Sequence, residues 1–192
     1  MKYRRVLLSA VLVCVGAAVP FARVAPPKNY VFFDRERGRI AESSFLETAT
    51  IEGAQLKYTW RELEPSRDKY DVGLVLKDLA YLEQHGKRLF VQVQDVSFVE
   101  TGSAINVPEY LTTGGSFHGG VARTYDPQGD DDMRANPNGW VARRWDPAVR
   151  ARFAALLNAL GRALDGRIEG ISLPETSLDF GSSTRTHPHG FT

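Results

Sequence analysis

Glu175 closes a short apolar run, Ile168-Glu-Gly-Ile-Ser-Leu-Pro-Glu175, of the length and composition of a buried strand. A carboxylate at the C-terminal tip of such a strand can be partly desolvated. Its pKa then rises, and it can hold a proton near neutrality and deliver it to a leaving oxygen. Cleaving an acetal in this way takes two carboxylates flanking the bond, and they usually come from well-separated strands. Glu64, on a loop after one earlier strand, and Asp95, at the end of another, can approach the same mouth, although nothing in the sequence identifies a partner carboxylate with the geometry this chemistry needs. Each also has a plainer reading, Glu64 as a loop-closing carboxylate and Asp95 as a strand-end cap.

Saccharide rings carry apolar faces that stack on indole and phenol rings, so aromatic residues near strand ends are candidate platforms. Trp60, Tyr110, Trp140 and Trp145 are in such places, Trp60 directly after a strand. Gln92 and Gln94 alternate with Val91 and Val93, and in a closed barrel they point inward, where amides need partners. They either bind hydroxyl groups of a ligand or satisfy one another.

The elements that must position these residues alternate along the chain. Tyr30 to Phe33 reads as a strand, Ile40 to Thr48 as a short helix, and Gly53 to Thr59 as a second strand running into Trp60. Val72, Val75, Leu76, Leu79 and Leu82 recur at helical spacing before Gly86, which predicts a helix over 71–85 with Asp71 as its N-cap. Arg88 to Gln94 is the third strand. From Asp95 to Trp145 there is little periodicity beyond a turn of helix at 108–111, and the stretch reads as a long functional or disordered loop. Asp146-Pro147 then opens a strong helix with Val149, Phe153, Leu156, Leu157, Leu160 and Leu164 as its buried stripe, and Ile168 to Leu173 is the fourth strand. Strand-helix alternation predicts an α/β fold with parallel strands, either a sheet or a barrel. As a barrel it is a partial (β/α)8 TIM barrel of roughly four strands with their helices.

Composition excludes little: 43% hydrophobic and 24% charged residues are ordinary for a globular chain of 192 residues. Lys2, Arg4 and Arg5 precede the apolar stretch Val6 to Val19, the layout of a signal peptide over 1–25, with an uncleaved anchor as the alternative. Removing that segment takes four basic residues with it and leaves 20 against 23 acidic ones. A mildly acidic chain gives no electrostatic reason to bind nucleic acid, and no stable membrane anchor is expected after cleavage. The single cysteine, Cys14, lies in the leader, so an exported product (secreted or periplasmic) has no disulfides and relies on packing.

Trp60-Arg61-Glu62-Leu63-Glu64-Pro65 followed by Tyr70-Asp71, with Gly53 and Tyr58 before it and Pro108-Glu109-Tyr110-Leu111 and the Glu175 strand after it, resembles the clan A glycoside hydrolases, in particular the N-terminal half of the family 42 β-galactosidase type. The resemblance covers roughly Gly53 to Glu175. It implies a TIM barrel, a carbohydrate substrate, hydrolysis of O-glycosyl bonds with retention, and Glu175 as the acid/base at the end of the fourth strand. Glu64, Trp60, Gln94, Tyr110 and Trp145 become the candidate substrate-binding residues. The family usually has Asn before this Glu to contact the sugar 2-hydroxyl, where this chain has Pro174. Its nucleophile belongs to a seventh strand, so the expectation is of a chain truncated before that strand.

No cofactor or metal is expected. Asp126 with Asp130, Asp131 and Asp132 matches no EF-hand spacing, and His187 and His189 lie in a polar tail over 181–192 expected to be disordered. The domain is placed at 26–180. The competing readings are a non-catalytic carbohydrate-binding protein and an inactive fragment, the latter prone to self-association through open sheet edges.

Overall fold

The computed structural model describes residues 26–99, 105–125, 137–174, 180 and 187–191. In chain order the elements are β1 (Asn29–Asp34), a 3-10 turn over Arg37–Ala41, α1 (Ser43–Leu46), β2 (Ile51–Thr59), α2 (Trp60–Leu63), α3 (Gly73–Gln84) and β3 (Arg88–Gln94). Then come β4 (Val96–Ser97), α4 (Glu109–Thr113), a 3-10 turn over Gly115–Phe117, β5 (Val121–Tyr125), β6 (Pro137–Ala142), α5 (Pro147–Leu164) and β7 (Gly170–Ser172).

Strands β1, β2, β3 and β7 form one sheet in that order, and every neighbouring pair is parallel. Parallel strands that follow one another sideways without reversal are the arrangement of a singly wound barrel; a doubly wound sheet reverses at its switch point. The fold is α/β, an open run of four strands of (β/α)8 type, with no closure among the described residues.

The two faces of this sheet differ sharply. Ala54, Leu56 and Tyr58 of β2 and Leu89, Val91 and Val93 of β3 are fully buried. They share one core with Val75, Leu79 and Leu82 of α3 and with Val149, Leu156, Leu160 and Leu164 of α5. Burying a side chain of this size contributes about 1.5 to 3 kcal/mol, so this layer holds the helices on. The intervening residues, Gln55, Lys57 and Thr59 of β2 and Gln92 and Gln94 of β3, occupy the opposite face because side chains alternate along a strand. Register aligns them in rows: Lys57 beside Gln92, Thr59 beside Gln94, and Gln92 beside Ser172.

The α5 cap is as the sequence predicts: Asp146 accepts from the backbone N–H of Ala148 at 2.8 Å and Val149 at 3.3 Å, with Pro147 at the first helical position. The α3 cap is not. Val72 holds the N-cap position, and Asp71 instead closes a turn by accepting from Gly73 N–H at 2.8 Å. A short acidic side chain two residues before an amide forms that turn as readily as a cap.

The stretch from Asp95 to Trp145 also departs from expectation. It carries a three-stranded antiparallel sheet, ordered β4-β6-β5, in addition to α4. β4 has only two residues, and neither Val121-Ala-Arg-Thr-Tyr125 nor Pro137-Asn-Gly-Trp-Val-Ala142 alternates apolar with polar residues, so no strand pattern registers. Gly139 is needed where β6 crosses β4, because a Cβ there would land on the carbonyl oxygen of Ser97. The signal segment 1–25 and the acidic turn at 126 and 130–132 lie outside the described residues.

Candidate functional site

Two adjoining cavities open at the C-terminal ends of the parallel strands. One, of about 320 Å3, is lined by Phe32, Gln55, Gln92 and Pro174 among others; the second, of about 450 Å3, by Asp34, Arg61, Glu62 and Asn106 among others. Lys57, Gln94, Val96 and Phe98 line both, so they form one mouth.

Local sequence explains how its walls are held. Thr59 and Glu62 form a capping box: the Thr59 hydroxyl accepts from Glu62 N–H at 3.1 Å, and Glu62 Oε2 accepts from Thr59 N–H at 2.7 Å. Strand β2 therefore turns into α2 at once. Burial opposes ionisation of Glu62, but these bonds and the nearby Arg35 outweigh it and hold its pKa below the ordinary value. Arg61 then reaches across: its backbone N–H donates to the Asn106 carbonyl and its Nε to the Val107 carbonyl, each at 2.9 Å. That brings the segment before α4 to the mouth, where Asn106 Nδ2 donates to the Val96 carbonyl at 2.6 Å.

The floor is polar and only partly satisfied. Gln94 donates from Nε2 to the Val96 carbonyl at 2.7 Å, and Gln55 Nε2 makes a long 3.4 Å bond to the Ser172 hydroxyl. The amide oxygens of Gln92 and Gln94 are buried and meet no donor among the described residues. The two amides therefore do not satisfy one another, and a buried acceptor without a partner is unfavourable. Above this floor stand two exposed rings, Phe32 at 50% and Phe98 at 60%. Lys57 Nζ lies 5.1 Å from the Phe32 ring centre and 3.3 Å from Asp34 Oδ1.

Of the candidate binding residues from sequence, Gln94 lines this mouth. Trp60, Glu64 and Tyr110 meet elsewhere, in a cluster around Arg152 of α5. Trp60 is fully buried with its ring edge-on to Phe153, and its indole N–H donates to Glu64 Oε2 at 2.9 Å. Both polar and apolar parts of Trp60 are thereby packed, leaving no open face on which a sugar ring could stack. Glu64, also fully buried, accepts from Asp68 N–H at 3.0 Å and from Arg152 Nη2. Arg152 further donates to Asp68 Oδ1 at 2.8 Å, Tyr110 at 3.0 Å and Tyr70 at 3.3 Å. Burial works against the guanidinium charge, yet the bonds to Tyr110, Asp68 and Glu64 prevail and raise its pKa. Burial likewise pushes the Tyr110 hydroxyl up to about 12.

Trp145 lies at a separate cavity of about 230 Å3 with His118 and Arg143. Its ring packs edge-on to Phe180 and Phe191, and its N–H reaches the His189 carbonyl at 3.4 Å. Residues 187–191, part of the expected tail, thus pack against the body of the protein. Trp140 lies under the Arg123 guanidinium, 4.0 Å from its ring centre. Asp95 is buried beside Arg144, 3.0 Å from its Nε. Burial pushes its carboxyl up to about 6 although Arg144 pulls the other way.

Glu175 lies outside the described residues; Pro174, joined to it, lines the mouth. Sequence reasoning missed Phe32, Lys57 and Phe98. The signal for the first two was available, since Phe32 follows the parity opposite to buried Phe33, and Lys57 shares the parity of Gln55 and Thr59. Phe98 had none, because it follows a two-residue strand. Among the described residues no three His, Cys, Asp or Glu side chains are grouped to hold a metal ion, and no helix is long and apolar enough to cross a membrane.

No family model matches the chain, and no curated protein does. Solved structures do. A β-galactosidase from the psychrophilic Marinomonas ef1 aligns with a TM-score of 0.45 and 11% identity over 77% of this chain. An exo-β-1,4-mannosidase from Opitutaceae bacterium strain TAV5 aligns with a TM-score of 0.42 and 13% identity, also over 77%. The chain spans 21% and 24% of the length of those two structures.

Proposed function

We propose that this protein is an exported, glycoside hydrolase-like protein whose strand-end mouth takes a carbohydrate. One observation carries the reading: buried amide oxygens of Gln92 and Gln94, lacking donors among the described residues, lie in a cavity that the exposed rings of Phe32 and Phe98 also line. A sugar offers both complements. Its hydroxyls donate to the amides and its C–H faces stack on the rings.

Glu175 is the acid/base of this reading. Pro174 supports the assignment, because it brings the chain to the wall of the mouth one residue before the carboxylate. In the retaining chemistry implied by the resemblance to the family 42 β-galactosidase type, Glu175 protonates the leaving oxygen while a second carboxylate attacks the anomeric carbon. Glu175 then takes a proton from the water that releases the sugar. Two carboxylates and water suffice, so the reading includes no cofactor. The leader implies a secreted or periplasmic location, and the edges of β1 and β7, unpaired among the described residues, suit self-association.

A non-catalytic carbohydrate binder is the second reading, favoured by the state of the carboxylates at the mouth. Glu62 is committed to its capping box and to Arg35 at 3.2 Å, and Asp34 to Lys57. Among the described residues, both carboxylates that line the mouth thus already have partners. Turnover of a panel of aryl glycosides by the full chain, with Glu175→Gln beside it, tests the enzymatic version. Hydrolysis lost in the variant supports it; hydrolysis unchanged by the variant removes the acid/base assignment; binding without hydrolysis selects the second reading.

A further inference from the structure

Lys57 is the cation at the centre of the mouth, lining both of its cavities beside Gln92 in the neighbouring strand. Its side chain is only 19% exposed, and its one ionic partner among the described residues is Asp34, at 3.3 Å and itself half exposed. An ammonium has three donors to place, and a single surface carboxylate leaves most of that capacity unused. The other charges of the larger cavity do not change the balance. Arg35 and Glu62 pair with each other, while the Arg61 guanidinium is held through Nε to the Val107 carbonyl, and its terminal amino groups meet no acceptor among the described residues.

A cavity that accepts a neutral sugar needs amides and rings, which Gln92, Gln94, Phe32 and Phe98 supply. A half-buried ammonium with a guanidinium opening on the same space adds positive charge that a neutral sugar leaves uncompensated and an anionic one neutralises. Resting on the carbohydrate reading above, we propose that the ligand is an acidic sugar, whose carboxylate or sulfate ester is held by Lys57 with Arg61 at the outer wall. Charge-assisted bonds of this kind are roughly twice as strong as neutral ones, and a desolvated wall strengthens them further.

The test is calorimetric titration of the full chain at neutral pH with oligogalacturonate, its methyl ester, a sulfated galactan oligosaccharide and neutral galacto- and manno-oligosaccharides. The expected result is that an anionic oligosaccharide binds at least about tenfold more tightly than its neutral counterpart, with the preference shrinking as salt is added. Whether the carboxylate or the sulfate arm binds identifies the source of the anion. Lys57→Gln abolishes the preference, Lys57→Arg keeps it, and Arg150→Gln, an exposed change on α5, leaves both the preference and neutral binding as they are. Thermal melts of each variant show that the fold persists. Acid and ester binding equally well overturns the inference while the carbohydrate reading stands, the outcome also expected if Lys57 serves a carboxylate of the chain itself. Failure of every saccharide to bind overturns both.

Discussion

Glu64 and Arg152, 88 residues apart in the chain, meet as an ion pair in which Glu64 is fully buried and the Arg152 side chain is 12% exposed. The pair fastens the loop after α2 to the middle of α5. Because Glu64 also holds the Trp60 indole and the Asp68 amide, one carboxylate organises the whole turn from Trp60 to Tyr70. Removing Arg152 strands the fully buried Glu64 charge, at a cost of about 3 to 5 kcal/mol, whereas removing Glu64 costs less because Arg152 keeps its ion pair with Asp68. Arg152→Met and Glu64→Gln should each lower the urea midpoint accordingly. The double variant should lose clearly less than the sum of the two, because neither charge is then left alone; strict additivity would show that the pair is not coupled.

The Thr59–Glu62 capping box turns β2 into α2 beside the mouth. Thr59→Ala removes an acceptor for Glu62 N–H and a donor to its carboxylate, a loss of about 1 kcal/mol. The depressed pKa of Glu62 gives a second check. Its stabilising contribution is present above the ordinary carboxylate value and is lost as the pH falls through the lower folded value, so the difference between wild type and Thr59→Ala should narrow in acid. A difference that is constant down to the acid limit would contradict it.

Asp95 titrates in the opposite sense. Its folded pKa, about 6, lies above the ordinary 3.8, so folding favours the protonated form. That contribution is complete below the ordinary value and drains away as the pH rises through about 6. Asp95→Asn, which imitates the neutral acid, should therefore gain stability relative to wild type between about pH 4 and about pH 7, by on the order of 3 kcal/mol. The attraction of Arg144 acts only on the ionised carboxylate and is already contained in the folded pKa, so the slope of the difference with pH is the measurement. A flat difference would mean that Asp95 ionises normally.

Gln92 separates binding from stability. Its amide oxygen has no donor among the described residues, so Gln92→Leu removes an unsatisfied acceptor from a buried position. Chemical denaturation should show little or no loss, since such a group is unfavourable when unpaired. Saccharide affinity should fall about tenfold with loss of the hydrogen bond the ligand provides. A variant that is destabilised yet binds normally would give Gln92 a packing role instead.

The scaffold was legible where long periodic segments carried it. The stripes of α3 and α5 and the Asp146-Pro147 start stood out because burial on one face imposes spacing. The site was less legible. Trp60, Glu64 and Tyr110 have the residue types of a binding surface, but Trp60 bonds Glu64 while Glu64 and Tyr110 close on Arg152, and nothing in sequence distinguishes Arg152 from Arg150 and Arg162 on the same helix. Phe32 and Lys57 have unremarkable types and acquire meaning from strand parity and register alone. The β4-β6-β5 sheet was hidden because β4 has only two residues and neither β5 nor β6 alternates apolar with polar side chains.

The central claim is that the mouth at the strand ends holds a carbohydrate, and the most direct measurement is a crystal structure of the protein with an oligosaccharide bound. The expected result is a sugar ring packed against Phe32 or Phe98, with a hydroxyl within hydrogen-bonding distance of the Gln92 or Gln94 amide oxygen. A saccharide bound only elsewhere, at Trp145 for instance, with the amides of Gln92 and Gln94 untouched, would contradict it.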